Sequence, residues 1–394
     1  MRTIVIICLA IVVLVSTPAG ATWSIVAADS ETQEVVVASA TCLTGFDLEQ
    51  YLPVIVVGKG GGAAQSYVDS TGQRRTIIWN GLHNGSTAQQ IVDELLLVTN
   101  SHLHQHGVAE ATIATSATQT GSGNGAYASG TTGSFGSVHY AIQGNVLTGS
   151  PVITAAEDAF VGTVGDLPAR AMAAMEAARS MGGDGRCSCS PSDPTGCGSP
   201  PPSFVKAADV GFFIISRFGD TDDPVCNNLG CADGDYFIDF NIAFQSTSDP
   251  DPVYQIQTLF DAERMALIGR PDAIASDIDF ERVAGSGDEW LMRVDLKDWA
   301  GDLLGAGVTG FTVEHAPESD QFTTIGSIND LGDGSYEVTL TADGPAGIDV
   351  FVITADDGIR PVVLPPRRAT LDLLPLFADD FESGGTNAWS AVSP

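Results

Sequence analysis

The stretch TWSIVAAD, residues 22–29, decides the first element of the fold. It is followed by the polar residues SETQ at 30–33 and then by VVVASA at 35–40. Two runs of strand-forming residues separated by a short polar segment predict a β-hairpin over residues 22–40. The hairpin begins with Thr22, so this hydroxyl residue is expected at the start of the first strand.

Residues 1–21 have the pattern of a secretory signal peptide. Arg2 supplies a positive charge, residues 4–15 are apolar, and Ala19 and Ala21 are the small residues that precede a cleavage site. The apolar run is shorter than the roughly 20 residues that a membrane-spanning helix needs. The sequence therefore predicts cleavage after Ala21, a periplasmic or extracellular location, and no membrane insertion after processing.

The chain is strongly acidic, with 17 basic and 49 acidic side chains among 394 residues. Loss of Arg2 with the signal peptide leaves a net charge of −33. Nucleic acids and anionic membrane surfaces would repel such a chain, so neither is an expected partner. The acidity alone identifies no partner, because it also serves solubility.

The mature chain contains an even number of cysteines, which favours disulfides in an exported protein. The alternative is a zinc site in CSCSPSDPTGC, although Cys-x-Cys lacks the usual ligand spacing. Cys226 and Cys231 form the simplest predicted pair because they close one short loop. The six mature cysteines are Cys42, Cys187, Cys189, Cys197, Cys226 and Cys231.

Helical and strand-like segments follow the hairpin in alternating groups, which predicts layered α and β structure. Helices are expected at residues 87–98 with Ser86 as the cap, and at 153–161, 166–182 and 251–267. Strands are expected at residues 54–57, 113–117, 139–146, 210–217 and 236–244, with another ending at 77–80.

The pattern changes near Pro271, after which polar and apolar residues alternate and helical periodicity ends. This predicts a small all-β sandwich at residues 273–372, with the domain boundary between residues 267 and 277. The segment GDGSYEVTLTADGPAGIDVFV resembles bacterial immunoglobulin-like modules. The tail at 373–394 resembles the Phe-Glu-Ser-Gly…Trp ends of exported bacterial proteins, so a sorting signal and a frayed terminus are the alternatives.

Motifs of several enzyme classes occur only in incomplete form. VVGKGGGAAQ lacks the acidic residue that a dinucleotide site requires, and we interpret it as a glycine-rich turn. Ser203 and Lys206 match Ser-x-x-Lys but follow three prolines, without the accompanying motifs of penicillin-binding enzymes. No Gly-x-Ser-x-Gly occurs. We therefore expect no cofactor.

Two clusters contain residues that bind metals in other proteins. His102, His104 and His106 would share one side of an extended strand. The acidic residues at 220–223 and 233–235 would suit calcium, but lack the regular spacing of an EF-hand loop. The alternatives are a polar strand entrance for the histidines and a solvated, disulfide-tied loop for the acids, so no metal is predicted.

Thr22 combines a nucleophile and a base once the chain begins there. Its hydroxyl can attack a carbonyl while its free α-amine takes the proton, directly or through water. A terminal amine titrates near 7.7–8.0, so a useful neutral fraction exists at neutral pH. The alternative is that a small residue simply follows a signal cleavage site.

A series of motifs occurs in order along residues 22–267: TWSIVAAD with VVVASA, GKGGGAAQSYV, NGLHNGSTAQQIVDELL, YAIQGNVLTG, MGGDGR and DPDPVYQIQTLF. Together they resemble the exported Ntn-hydrolase-like family called domain of unknown function 1028. The resemblance implies an α+β fold, a four-layer αββα sandwich at residues 22–268, with the N-terminal residue at the mouth of the active site. The family has no established activity or substrate. A cysteine-bearing insert after Gly185 departs from the family pattern.

Within these motifs, several polar residues are candidates to assist Thr22. Gln65, Gln143 and Asn145 are candidate oxyanion donors. Asp184 and Arg186 are candidates to orient the amine or to bind a substrate carboxylate. Lys59 is a candidate to lower the pKa of the amine, or a surface loop residue.

These observations favour an exported Ntn-type amidohydrolase that cleaves an amide bond in a small molecule or peptide, with a cell-envelope peptide as one candidate. The alternatives are a non-catalytic Ntn-fold module for binding or surface attachment, and an adhesin-like structural protein. A free amine at Thr22 would favour catalysis, whereas a trimmed or blocked terminus would favour binding.

Overall fold

The computed structural model describes residues 22–343 and 346–372. The predicted signal peptide and C-terminal tail lie outside the described residues. The described chain is mixed α/β with antiparallel sheets. Its helices are α1 Gln73–His83, α2 Ala88–Leu96, α3 Pro151–Gly162, α4 Leu167–Ser180, α5 Gly185–Ser188 and α6 Pro252–Ala266, with a 3₁₀ turn at Ser101–Leu103. No helix in the described ranges is long and apolar enough to cross a membrane.

The strands fall into four sheets, two before and two after α6. The strands before α6 are β1 Thr22–Asp29, β2 Val35–Thr41, β3 Pro53–Val56, β4 Gly60–Ser66, β5 His104–Glu110, β6 Thr115–Thr120, β7 Ser129–Phe135, β8 Val138–Asn145, β9 Val210–Ser216 and β10 Ile238–Ile242. The strands after α6 are β11 Asp277–Arg282, β12 Glu289–Asp295, β13 Gly310–His315, β14 Thr323–Asp330, β15 Ser335–Ala342, β16 Ala346–Asp356 and β17 Pro361–Asp372.

The predicted hairpin is confirmed as β1 and β2, which form the centre of a six-stranded sheet in the order β10-β9-β2-β1-β8-β7. Successive side chains of β1 point to opposite faces. Trp23 and Ile25 pack in the cluster that includes α3, α4 and α6. Val26 and Ala28 pack toward the second sheet, together with Ala63 of β4. Both faces of the hairpin are covered, which explains why its apolar run is nearly continuous.

The second sheet has the order β3-β4-β5-β6, and α1 and α2 cover its outer face. The segment interpreted as a glycine-rich turn is mostly strand β4, since Gly60–Ser66 pairs with both β3 and β5. A Cβ at Gly61 would lie 2.8 Å from Val37 Cγ2 and 2.9 Å from Val35 Cγ1. Gly61 therefore serves the close approach of the two sheets.

The prediction that a strand ends at residues 77–80 is wrong, because these residues lie within α1. Asp69 Oδ2 accepts hydrogen bonds from the N–H groups of Arg74 and Arg75 at the helix start, at 2.9 and 3.0 Å. Ile78 and Leu82, one turn apart, are both fully buried under the helix. The packing of this apolar face against the second sheet therefore outweighs the local preference of these residues for β structure.

Two other predicted elements are present in the structure, but their first residues differ from the prediction by one or two positions. The cap of α2 is Thr87, not Ser86, and Thr87 forms a reciprocal capping box with Gln90. The strand expected at 113–117 is β6, which starts at Thr115 because residues 111–114 form the turn that follows β5. Both differences are shifts of an element that the sequence pattern correctly predicts.

The described chain after α6 contains only strands, as the alternating pattern predicts. Two sheets, β11-β12-β15-β14 and β13-β16-β17, enclose one apolar cluster whose members all lie between residues 278 and 371. Ion pairs cross the junction with the preceding part: Arg217 with Asp272 at 2.8 Å, and Arg360 with Asp220 at 3.0 Å.

Gly61→Ala should destabilise the fold by about 1–3 kcal/mol, because the added methyl overlaps two valines in a close-packed interior. Gly162→Ala is the matched control, since a Cβ at this position of α3 meets nothing within 4 Å. Chemical denaturation of both variants measures the difference. Equal stabilities would contradict the close approach of the sheets at Gly61.

Candidate active site around Thr22

Thr22 is the first residue of β1 and lies directly between Thr41 of β2 and Asn145 of β8 in the strand register. Its hydroxyl donates to Thr41 Oγ1 over 3.4 Å, and the residue is 3% exposed. Residues 22, 24, 26 and 28 share a face because strand side chains alternate. Thr22 thus lies on the face of the sheet that packs against the second sheet.

Buried polar side chains surround Thr22 where the space between the sheets would otherwise be apolar. Ser24 Oγ donates to Gln65 Oε1 over 2.6 Å and accepts from Gln143 Nε2 over 2.5 Å. Gln65 Nε2 in turn donates to the Thr22 carbonyl oxygen at 3.3 Å. Gln65 therefore contacts Thr22 directly, whereas Gln143 contacts Ser24, two residues further along the strand, and both amide nitrogens already donate to protein atoms.

Gln105 of β5 is the residue that sequence reasoning missed. Its Oε1 accepts hydrogen bonds from Gln65 Nε2 at 2.7 Å and Asn145 Nδ2 at 3.1 Å. Its Nε2 donates to Thr120 Oγ1 at 2.7 Å and to the Gly144 carbonyl at 3.0 Å. Gln105 lies in HLHQH, where only the histidines match a known ligand pattern, and a buried glutamine has no periodic signal of its own.

Asn145 carries an unsatisfied group at the site. Its Nδ2 is used by Gln105, whereas its Oδ1 is fully buried and has no hydrogen-bond partner in the described chain. Leaving a buried acceptor unpaired costs about 1–3 kcal/mol. The register places this residue opposite Thr22. Asn145 therefore offers an acceptor more readily than the donor expected from the sequence.

Two residues beside the site have a left-handed backbone, which is rare for residues with a side chain. Ser66 follows Gln65 with φ 79°, and Val146 follows Asn145 with φ 52°. Such strain costs about 1–3 kcal/mol and concentrates at functional sites. Ser66 Oγ is also buried without a partner. Both positions depend on tertiary structure, so no sequence motif predicts them.

Asp184 and Arg186 form an ion pair of 2.8 Å that reaches Thr22 through Thr41. Asp184 is fully buried and also accepts from the Cys42 N–H at 2.7 Å. Burial raises the pKa of Asp184, and the Arg186 guanidinium opposes this rise. Arg186 Nη2 lies 3.3 Å from Thr41 Oγ1. The pair therefore places a positive charge one hydroxyl away from Thr22.

Lys59 lies at the opposite end of β4 from Gln65. Its Nζ donates to the His83 carbonyl at 3.1 Å, in an exposed position. Six residue steps along the chain, at about 3.3 Å each, separate it from Gln65. The suggestion that Lys59 lowers the pKa of the Thr22 amine is wrong, and the surface role is correct.

The six cysteines pair as three disulfides, in agreement with the predicted oxidation: Cys42–Cys187, Cys189–Cys197 and the predicted Cys226–Cys231. The first connects the residue after β2 to α5, directly beside Asp184. The zinc alternative fails because its thiols are used in sulfur–sulfur bonds. The same applies to the group of Cys42, Cys187 and Asp209, whose donor atoms lie close together.

The histidines divide between a turn and a strand. His104 and His106 are buried on β5, with ring centroids 6.1 Å apart, whereas His102 is exposed in the 3₁₀ turn. Burial lowers the pKa of His104 to about 3 and that of His106 to about 4, so both are neutral near pH 7. Among the described residues, the three histidines form no ligand group.

The acids proposed for calcium make loop hydrogen bonds. Asp222 accepts from the Val57 N–H at 2.9 Å, and Asp220 accepts from the Phe237 N–H at 2.8 Å. Within the described ranges these carboxylates do not converge on one point. The arrangement agrees with the disulfide-tied loop, because Cys226–Cys231 lies within the same segment.

A narrow pocket opens at Thr22. It has a volume of about 20 Å³, and its walls are mostly apolar and aromatic. The lining residues are Thr22, Leu43, Phe46, Leu48, Tyr51, Leu52, Ala64, Gln65, Ser66, Tyr67 and Val68. Thr22 thus lines a small opening, and Gln65, which lines the same opening, joins it to the hydrogen-bond network of Gln105.

Residues 22–192 match the family described as "Family of unknown function (DUF1028)". The resemblance is confirmed over this segment. The match is shorter than the expected 22–267, yet it contains Thr22, Gln65, Asn145, Asp184 and Arg186, and it ends inside the cysteine-bearing insert. No curated protein matches the chain.

Three solved structures show a limited likeness to the chain. The protein SPO2555 from Silicibacter pomeroyi, which bears the DUF1028 designation, is 19% identical with a TM-score of 0.42, over 61% of this chain and 88% of that one. Domains 4 and 5 of the S-layer protein SbsC are 17% identical with a TM-score of 0.17, over 25% and 51%. The Escherichia coli adhesin FdeC is 10% identical with a TM-score of 0.17, over 87% and 96%. TM-scores this low do not establish a shared fold.

The disulfide pairing is testable by peptide mapping of the exported protein without reduction. We expect three linked peptide pairs that join Cys42 to Cys187, Cys189 to Cys197 and Cys226 to Cys231, because these sulfur atoms are bonded in the structure. Digestion after reduction and alkylation is the control and should release all six peptides singly. Alkylation of six free thiols without reduction would contradict the pairing.

The buried histidines should make stability fall with acid. Their folded pKa values lie below the unfolded value of about 6.5, so the unfolded chain binds more protons as the pH drops from about 6.5 to 4. His106→Gln should reduce this loss of stability, measured by urea denaturation across that range. His102→Gln is the exposed control and should follow the parent. Identical slopes for all three proteins would contradict a buried neutral His106.

Proposed function

We propose that this protein is an exported N-terminal-nucleophile amidohydrolase in which Thr22, freed by cleavage after Ala21, attacks an amide carbonyl. One observation carries the proposal. The first residue after the cleavage site predicted from the sequence begins the central strand and lines a pocket at the polar end of the space between two sheets.

The polarity of this space supports a chemical role. Valine or alanine at residues 22, 24 and 143 would fill it as they do further along the strands, where Val26 and Val37 pack. Burying amides and hydroxyls instead is costly unless every group is paired. Asn145 Oδ1 and Ser66 Oγ remain unpaired. Packing alone does not explain buried polar atoms without hydrogen-bond partners. A site at which these atoms bind a reacting group explains them better.

The reaction follows from a threonine with a free amine. The neutral α-amine accepts the hydroxyl proton as Oγ1 bonds to the carbonyl carbon, and the carbonyl π electrons move to oxygen. When the oxyanion collapses, the carbon–nitrogen bond breaks and the leaving amine takes the proton from the α-ammonium. Water then hydrolyses the acyl ester by the same proton transfers and releases a carboxylic acid.

The hydrogen bonds suggest revised roles for the predicted residues. Asn145 Oδ1 would accept from the α-amine, because its Nδ2 is held by Gln105. Ser66 Oγ would donate to the oxyanion, since it lines the pocket with Thr22 and lacks another partner. Gln65 would position Thr22 by donating a hydrogen bond from its Nε2 to the backbone carbonyl oxygen of Thr22. Arg186, oriented by Asp184, would stabilise negative charge through the Thr41 hydroxyl.

The finer architecture is also a proposal. Helices on the outer faces of two packed sheets support an αββα Ntn-type sandwich at residues 22–268. A separate apolar cluster supports a second, immunoglobulin-like domain at 273–372. The three disulfides support an exported protein. The proposed substrate is a small molecule or peptide, with a cell-envelope peptide as one candidate.

A non-catalytic binding module is the second candidate. The amide nitrogens of Gln65, Gln143 and Asn145 all donate to protein atoms, which favours a structural network over a set of oxyanion donors. In that case the domain would bind a ligand at the Thr22 pocket, and the all-β part would serve surface attachment. The test below distinguishes the two candidates.

The test uses a β-lactone probe on protein exported with its signal peptide. Attack by Thr22 opens the ring and adds the whole mass of the probe to the N-terminal peptide. Thr22→Ala should abolish this adduct, and Thr22→Ser should retain part of the rate because the hydroxyl survives. Mass spectrometry of the N-terminal peptide measures the adduct.

A variant with glycine inserted before Thr22 is the decisive control. It keeps the hydroxyl but converts the α-amine into an amide without basicity, so labelling should fall to the level of Thr22→Ala. Intact mass confirms the processed terminus, and thermal unfolding confirms folding. Normal labelling of the insertion variant would exclude the N-terminal amine as the base and contradict the proposed mechanism.

A further inference from the structure

The Cys42–Cys187 disulfide joins the two segments that meet at the Thr22 hydroxyl. Cys42 directly follows Thr41, the last residue of β2, and Cys187 directly follows Arg186 in α5. Arg186 Nη2 lies 3.3 Å from Thr41 Oγ1, which also accepts from the Thr22 hydroxyl. The disulfide is therefore a covalent link between the two segments that place a positive charge near Thr22.

Helix α5 is a single turn, so its position depends on the segments that bind it. A helix this short is not stable on its own in water. On the side of β8, the Gly185 N–H donates to the Val146 carbonyl at 3.0 Å. On the side of β2, the links include the disulfide and the hydrogen bond from the Cys42 N–H to the Asp184 carboxylate. Loss of the disulfide would thus loosen α5 on the side of β2, where the Arg186 guanidinium lies.

A buried carboxylate faces the two sulfur atoms of this disulfide. Asp209 Oδ2 lies 3.4 Å from Cys42 Sγ and 3.5 Å from Cys187 Sγ, and the residue is 2% exposed. Its other oxygen, Oδ1, forms an ion pair with Lys206. Among the described residues Oδ2 has no further hydrogen-bond partner, and the sulfur atoms of a disulfide carry no hydrogen to donate. Oδ2 is therefore a buried acceptor without a donor while the disulfide is intact.

Reduction of the disulfide would supply this carboxylate with two donors. Each thiol can donate a hydrogen bond, and a partner for a buried charged acceptor removes the cost of leaving it unpaired. Asp209 therefore stabilises the two thiols relative to the disulfide. Cys42 and Cys187 are both half-buried, so part of each residue is exposed to a small thiol reagent.

We infer that the Cys42–Cys187 disulfide holds Arg186 in position at the Thr22 site, and that its reduction, favoured by Asp209, lowers the reactivity of Thr22. This inference rests on the proposed nucleophile. The step is a thiol–disulfide exchange with a small dithiol, which supplies two electrons and two protons. The sulfur–sulfur bond of the protein breaks, two thiols form, and the reductant becomes a cyclic disulfide.

Cys42→Ser combined with Cys187→Ser removes the link and leaves two hydroxyls that can donate to Asp209. The rate at which the β-lactone labels Thr22 in the exported protein should fall about tenfold. Removal of a direct oxyanion donor costs about 100-fold to 1,000-fold, and Arg186 has a smaller effect because it acts through a hydroxyl. Mass spectrometry of the N-terminal peptide measures the rate. Labelling at the parent rate would overturn the inference.

Cys226→Ser combined with Cys231→Ser is the matched control. It also removes a disulfide, but one in a loop away from α5, so this variant should label at the parent rate. An equal fall in both double variants would show a general loss of structure and would overturn the inference. Parent protein that has been reduced with dithiothreitol and freed of it should label slowly, and reoxidation should restore its rate.

Arg186→Ala distinguishes a positioning role from a general structural one. If the disulfide acts through Arg186, removal of both should cost no more than removal of the guanidinium alone. The triple variant with Cys42→Ser, Cys187→Ser and Arg186→Ala should therefore label at the rate of Arg186→Ala. A further tenfold fall in the triple variant would show that the disulfide acts by another route and would overturn the inference.

Asp209→Asn tests the sensitivity of the disulfide to reduction. Asparagine keeps an acceptor but removes the charge, so the equilibrium constant for reduction of Cys42–Cys187 by dithiothreitol should fall about tenfold. Alkylation and peptide mapping over a series of dithiothreitol concentrations measure this constant. Cys226–Cys231 in the same sample is the internal control and should keep its constant. An unchanged constant for Cys42–Cys187 would overturn the inference.

The failure of the inference differs from the failure of the proposed function. A parent adduct together with an equal rate in Cys42→Ser, Cys187→Ser contradicts the positioning role and leaves the nucleophile in place. A parent without any Thr22-dependent adduct contradicts both. Thermal unfolding of each variant confirms that altered rates come from folded protein, and the reduced parent provides the same comparison without a substitution.

Discussion

Along strand β1, the contact between the two sheets of the N-terminal part changes from apolar to polar. The arrangement of the site around Thr22 depends on this change. At Val26 the facing side chains are apolar and the sheets pack closely on Gly61. At Ser24 and Thr22 the same face meets glutamines. The apolar half holds the sheets together, so the polar half can keep unpaired groups that a less constrained structure would rearrange to satisfy.

The network at Thr22 is stiff because each amide is fixed by another. Gln105 accepts from two side chains and donates to one hydroxyl and two carbonyl oxygens, which leaves one orientation for Gln65 and Asn145. The unpaired oxygen of Asn145 is therefore a consequence of its neighbours rather than of its own rotamer. Such preorganisation is what a site needs if it is to bind a reacting group without reorganising.

Local patterns predicted the elements whose own residues determine them. The hairpin at Thr22 and the helices α3, α4 and α6 follow from strand propensity, proline starts and apolar spacing. For helix α1 the sequence predicts a strand, because Ile77 and Ile78 favour β structure, and only the packing of Ile78 against the second sheet reverses that preference. The sequence does not predict the burial of Gln105 or the positive φ angles of Ser66 and Val146. These properties are set by chain segments that are distant in the sequence.

The ion pairs at the junction link the two halves of the protein energetically. Arg217 is buried between Glu34 of the hairpin region and Asp272, which lies beyond α6. Burial raises the pKa of Glu34 to about 7, so Glu34 alone is a weak counter-ion for this guanidinium. A chain shortened to residue 268 would leave a buried cation without its stronger partner. The two halves are thus not interchangeable modules: a graft of either onto another protein would have to supply the missing carboxylate.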